Sequence, residues 1–171
     1  PVDPITPIYP GDAPVEITLV DSTDHSTPSE RHLNSSRVAF GLHCGTHMDA
    51  PLHFYGGAAS IDQAPLGRCV GPCLLLDVRH KQPRESITPS DLAPYRERLR
   101  QLRKVVLHTG WSKYWGTPAY FADHPVIDCA AAKLLVEFGV ELIGGDTPSV
   151  DQPPFDAHLE LLGRAVLIVE N

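Results

Sequence analysis

No stretch of this sequence approaches the roughly 20 consecutive apolar residues that a helix needs to cross a bilayer, so no membrane partner is expected. The chain does not open on the basic, apolar and small-residue succession of a secretory signal. Positive charge is short: 14 lysines and arginines face 21 acidic residues, a net charge of −7. No basic run or stripe offsets that balance, which argues against a nucleic-acid partner. Cysteine is sparse as well. Cys44, Cys69, Cys73 and Cys129 make neither a C-x-x-C pair nor a disulfide-dense framework. They are expected to be free thiols in a reducing compartment, the cytoplasm. G-x-S-x-G, G-x-G-x-x-G and the GKS/GKT ending of a P-loop are all missing, so serine-hydrolase, dinucleotide and P-loop chemistry have no support. Repeats and low-complexity tracts are also missing.

What is present is a soluble, globular composition. The 171 residues are 42% hydrophobic and 20% charged, the length of one ordinary domain and enough to bury a core without staples. No linker-like segment divides them, so a single domain over 1–171 is expected. The chain stops at Asn171 straight after the apolar run "RAVLIVE", which is consistent with a trimmed or processed form. Seventeen prolines and 13 glycines imply frequent turns and short elements. A Pro-rich segment over 1–14 is followed by strand-like "VEITLV" (15–20), a polar loop over 21–36 and the strand "SRVAFGLH" (36–43). "CVGPCLLLDV" (69–78) reads as a strand buried on both faces. A helix is predicted over 88–104 with Ser90 as N-cap. A second follows over 128–139, with Asp128 near its start and Gly139 as its stop. A third covers 155–163. Buried strands are predicted at 105–110, 140–146 and 165–170. Strands come first, then strands alternating with helices, which implies an α/β fold: a mixed β-sheet with helices packed on it.

Histidine is the residue in excess, nine in all, and its placement is the main clue. "HCGTHMDAPLHF" (43–54) sets His43, His47, Asp49 and His53 within eleven positions. Divalent ions such as zinc and manganese take neutral imidazole nitrogens and carboxylate oxygens. His47 and Asp49 are two apart, so an extended backbone points both to one side. The Gly45 turn lets His43 reach that side, and Pro51 stiffens the exit toward His53. A polar loop of surface histidines is the plainer alternative, but the flanking "VAF" and "LHF" disfavour it. A metal site in a hydrolase draws on more than one segment. His158, on the predicted third helix, is taken alone an ordinary helix-surface histidine. Glu170, at the end of an apolar strand, is either exposed at a sheet edge or held by a metal, since an unpaired buried carboxylate is costly. Alternation turns Cys44 away from its neighbours, as a buried bystander. Cys69 and Cys73 flank a Gly-Pro turn and read as core. His108, on a buried strand, reads as a satisfied core histidine.

"HCGTHMDAPLHF" resembles the H-x-G-T-H-x-D-x-P-x-H signature of the cyclase family that includes bacterial kynurenine formamidase and isatin hydrolase. The similarity continues through "YPGD" (9–12), "HTGWSKYW" (108–115), "GDTPSVD" (145–151) and "DAHLELL" followed by "LIVEN" (156–171). It implies a metal-dependent hydrolase with a swivelling β/β/α-type fold, acting as a homodimer or homotetramer on a small-molecule substrate. It implies that His43, His47 and Asp49 bind one ion, zinc or manganese, and that His158 and Glu170 complete the site. With two ions per chain, Asp49 and Glu170 would bridge them. His53 is matched to the proton carrier. Tyr9 stands where the formamidases have a pocket-lining tryptophan. Trp111 and Phe54 are further candidates for packing on a planar substrate.

The expected activity is hydrolysis of an amide-type C–N bond in a small aromatic or cyclic substrate, arylformamidase-like. In it a metal-activated water attacks the carbonyl and His53 shuttles the proton. Alternatives are an isatin hydrolase-like lactam opening and a metal- or small-molecule-binding protein without turnover. A structural metal site ranks last, because such sites favour closed, cysteine-rich ligand sets.

Overall fold

The computed structural model of the chain describes residues 2–21 and 35–171. The polar loop read over 21–36 lies outside the described residues except at its ends. The chain divides into two compact units, Pro1–Gly45 and Thr46–Asn171.

In the first unit, β1 (Glu16–Asp21) and β2 (Ser35–Ala39) pair antiparallel, with Ile17 opposite Val38. β2 ends at Ala39, short of the predicted 43, so His43 lies past the strand in a turn. Gly45 holds φ +63 there, the left-handed conformation that favours glycine. Cys44 is buried, as expected.

The second unit runs through β3 (His47–Asp49), β4 (Leu74–Asp77), β5 (Ser86–Ile87), α1 (Pro89–Leu92) and α2 (Arg96–Leu99). It continues with β6 (Lys104–His108), α3 (Pro118–Ala122), β7 (Val126–Ile127) and α4 (Cys129–Glu137). It ends with β8 (Leu142–Gly145), α5 (Asp156–Gly163) and β9 (Leu167–Glu170). Five strands make one mixed sheet in the order β3-β9-β8-β6-β4. Its four later strands are parallel, and β3 alone is antiparallel, paired to β9. β5 and β7 form a separate two-stranded parallel pair. The mixed sheet with packed helices is as the sequence implied. Leu76, Leu107, Ile143 and Ile168 from the sheet meet Leu92, Leu99, Leu135 and Leu161 from the helices in one core. Each such side chain contributes about 1.5–3 kcal/mol by leaving water.

Four expectations are corrected. The predicted helix over 88–104 is broken, because Pro94 lacks an N–H and collides with the carbonyl four residues back. The run becomes α1, a 3-10 turn at Ala93–Tyr95 and α2. Its N-cap is Thr88, not Ser90: the Thr88 N–H donates to Asp91 Oδ2 at 2.7 Å in a capping box. The strand predicted over 69–78 shrinks to β4, whose Leu75 is 56% exposed because β4 is an edge strand. Cys69 and Cys73 precede that strand and are exposed rather than core; all four cysteines are free thiols. α4 is as predicted: Asp128 caps it by accepting from Ala131 N at 2.6 Å, and Gly139 stops it at φ +76.

Candidate metal centre

Strand register sets the first half of the site. In the antiparallel β3–β9 pair, His47 faces Glu170 directly, and Asp49 is two residues along β3. Cross-strand partners and i, i+2 neighbours point to the same side of a sheet, so all three side chains share one face. Their donor atoms lie within 4.8 Å of one another. His47 Nε2 is 3.5 Å from Asp49 Oδ1 and 4.0 Å from Glu170 Oε2. Asp49 and Glu170 are buried, at 2% and 6% exposure. Glu170 is therefore at the carboxyl end of a parallel strand, the edge where open α/β sheets bind ligands.

α5 supplies the second half. His158, 2% exposed, places Nε2 3.2 Å from Glu170 Oε1 and 3.8 Å from Asp49 Oδ2. Its orientation comes from Asp151, a buried residue that sequence reasoning passed over. Asp151 Oδ2 accepts from Ala157 N at 2.7 Å and His158 N at 3.3 Å, capping the start of α5. Its Oδ1 is 2.5 Å from His158 Nδ1. With that hydrogen bond, Nδ1 carries a proton and Nε2 faces the two buried carboxylates. Burial pulls the His158 imidazole down, but Asp151, Asp49 and Glu170 together outweigh it and push it up to about 11. Without an ion, a proton on His158 thus supplies the positive charge between Asp49 and Glu170. Glu170 Oε1 also accepts from Val150 N at 2.8 Å.

The donor set fits a divalent cation. Two donors each about 2.1 Å from one ion stand roughly 3.0–3.4 Å apart at octahedral or tetrahedral angles. The 3.2–4.0 Å separations among His47, Asp49, His158 and Glu170 are close to that range. The Asp151–His158 contact is the carboxylate–histidine arrangement that fixes a metal ligand's tautomer.

The motif's exit folds against α5. Pro51–His53 form a 3-10 turn with Pro51 in its first turn. Phe54 stacks on His158 with centroids 5.0 Å apart, and His53 meets Phe54 edge-on at 4.7 Å. A ring nitrogen of the exposed His53 lies within 4.8 Å of an Asp49 oxygen. Tyr55 donates to the Leu159 carbonyl at 2.8 Å. Of the other predicted site residues, His43 and Tyr9 belong to the first unit. Trp111 is 4% exposed; its indole N–H donates to the Tyr120 carbonyl and its ring packs on Tyr114, so most of its surface is spent inside the protein.

Fold and site define the class: a mixed-sheet α/β protein built around a site for a divalent metal. Residues 1–152 match the family described as "Putative cyclase", and the chain belongs to that family. Its backbone superposes on isatin hydrolase A from Labrenzia aggregata bound to benzyl benzoate, with a TM-score of 0.83 and 23% identity, over 99% of this chain and 76% of that one. A predicted metal-dependent hydrolase from Bacillus stearothermophilus gives a TM-score of 0.75 and 25% identity, over 99% of this chain and 78% of that one. Isatin hydrolase A from Ralstonia solanacearum gives 0.79 and 22%, over 99% of this chain and 75% of that one. Among the described residues, no helix is long and apolar enough to cross a membrane.

Proposed function

We propose that the chain is a metal-dependent hydrolase that cleaves an amide-type C–N bond in a small aromatic or cyclic substrate, as an arylformamidase does. One observation carries the reading: a buried imidazole, His158, is locked by Asp151 with its Nε2 turned toward Asp49 and Glu170. Zinc or manganese would be held by His47, Asp49, His158 and Glu170. His43 joins them on the H-x-G-T-H-x-D spacing alone, and Tyr9 joins the substrate wall on its match to the family tryptophan alone. A bound divalent ion supplies a water whose pKa falls to roughly 7 and a Lewis acid for the substrate carbonyl.

The remaining steps belong to the chain's own residues. His53 stands beside Asp49, exposed enough to exchange protons with solvent and steadied by the edge of Phe54. Its imidazole takes a proton from the attacking water and passes it to the leaving nitrogen, a relay that its two ring nitrogens suit. Phe54, half-buried beside both histidines, offers apolar surface to a planar substrate. The four free thiols support a reducing, cytoplasmic setting.

A ring-opening lactam hydrolysis is the second reading. Its support is that isatin hydrolases are among the similar structures, one holding the aromatic ester benzyl benzoate. Hydrolysis of an N-formyl arylamine and of isatin, measured side by side before chelation, after it and after metal return, tests both. Turnover should vanish with chelation and recover with metal. His53→Ala should keep its metal and lose roughly 10²–10⁴-fold in kcat. A variant as active as the wild type would remove His53 from the mechanism.

A further inference from the structure

Phe155 immediately precedes α5 and holds φ +67, ψ 37, in the left-handed region. A bulky side chain adopts that region at a cost, and the conformation persists only where the surroundings impose it. Here they do. The Phe155 N–H donates to the Gln152 carbonyl at 2.9 Å, and the Phe155 carbonyl accepts from Leu159 N at 2.9 Å. Gln152 is anchored in turn, its Nε2 donating to the carbonyls of Phe121 and Ala122 at 3.2 Å each. Glycine would satisfy this backbone without penalty, so the turn itself has no need of a ring.

The ring instead faces the site. It stands edge-on to His158 at 5.8 Å and to Phe54 at 5.6 Å. With Phe54 stacked on His158 and His53 edge-on to Phe54, the two phenylalanine rings make a corner beside the proposed metal donor His158, and Phe54 reaches the proposed proton carrier His53. Phe155 and Phe54 are only half-buried. A flat ring entering that corner gains edge-to-face contacts that a saturated ring of similar size does not.

We infer that Phe155 is a specificity-determining residue that makes the site prefer planar aromatic substrates; this rests on the hydrolase reading above for the identity of the site. Binding of benzamide and of cyclohexanecarboxamide to the zinc-loaded protein, followed by ligand-observed NMR titration, tests it without needing turnover. The wild type should prefer benzamide by roughly two- to tenfold, the scale of one good ring–ring contact. Phe155→Leu, which keeps apolar bulk, should erase the preference with zinc stoichiometry unchanged, and Phe155→Tyr should retain it. A preference that survives in Phe155→Leu, or is missing from the wild type, overturns the inference. So does loss of zinc from Phe155→Leu, since Phe155 would then serve only to place His158. If formanilide is not hydrolysed while the preference still follows the ring at 155, the hydrolase reading fails and this one stands.

Discussion

Replacing Asp151 by asparagine tests whether His158 is oriented as a metal ligand or is merely a buried helix residue. The carboxylate serves two sides at once: Oδ2 caps Ala157 N and His158 N, and Oδ1 holds His158 Nδ1. An amide of the same shape has one acceptor oxygen, so one side must lose its partner. If the oxygen stays on the helix cap, the amide NH2 faces Nδ1 and favours the tautomer protonated at Nε2, which cannot ligate. If it turns to Nδ1, the cap is lost, at about 1 kcal/mol. Losing the charge on the His158 contact costs roughly 1.5–3 kcal/mol more in the metal-free protein. Asp151→Asn should therefore lower Tm by roughly 5–15 °C and weaken metal binding by roughly 10–100-fold. Chelator-competition titration with zinc reads the second effect and calorimetric melting the first. A variant with a lower Tm and wild-type zinc affinity would refute the reasoning, because capping alone would then account for Asp151.

Zinc must displace the proton that His158 holds in the metal-free protein, whose pKa is pushed up to about 11. Affinity should rise roughly tenfold per pH unit around neutrality, and a flat profile in buffered competition titrations would exclude His158 as a ligand. The sign for the metal-free fold is opposite: stability from that proton is complete below the ordinary value of 6.5 and fades as pH climbs toward 11. Gly163→Ala should destabilise, although alanine ordinarily improves a helix. Its Cβ would lie 2.9 Å from the Tyr55 hydroxyl, at a cost of about 1–3 kcal/mol. Tyr55→Phe should recover part of that loss in urea melts, and additive effects of the two changes would disprove the clash. Asp91, despite its burial, is held well below the usual carboxylate range by Lys81, Thr88 and His80, none of them a proposed metal donor. Asp91→Asn should cost about 1.5–3 kcal/mol by weakening one of the two carboxylate contacts of the Lys81 ammonium, which keeps Glu85 at 3.1 Å. It should leave zinc stoichiometry intact, and a variant that loses its zinc would show that the loop around Lys81 supports the site.

The sequence was most legible where chemistry is local. His47 and Asp49 share a face because their spacing matches the strand period, and the structure places them so. The elements that carry His158 and Glu170 were also readable, as a helix stopped by glycine and an apolar strand. Their convergence was not, since the pairing of Glu170 with His47 joins positions 123 residues apart and no local pattern encodes it. Asp151 escaped for a similar reason. Its segment "GDTPSVD" carries only the family likeness in the sequence, and only the placement of α5 shows Asp151 capping the helix and hydrogen-bonded to His158. The broken helix over 88–104 had a visible cause in Pro94 that its basic, helix-favouring neighbours outweighed. Burial of Leu75 was overestimated because an apolar run does not say which strand ends up at an edge.

The donor set also bears on how the sheet is completed. β3 has three residues and pairs with β9 over three positions, too little to hold an edge strand by itself. Flanking contacts assist: Thr46 Oγ1 donates to Asn171 Oδ1 at 2.7 Å, Asn171 N donates to the Thr147 carbonyl at 3.1 Å, and the Tyr120 hydroxyl donates to the Asn171 carbonyl. Against them stand two buried carboxylates, Asp49 on β3 and Glu170 on β9, which repel in a low-dielectric setting. An ion held by both would offset that repulsion across the strand pair, as the His158 proton does without it, and His158 ties α5 to the same two residues. A metal bound at a thousandfold excess over its Kd stabilises the fold by about 4 kcal/mol. The ion that would run the chemistry would therefore also cross-link the edge strand β3 to β9 beside it, so the site and the sheet edge draw on one free energy.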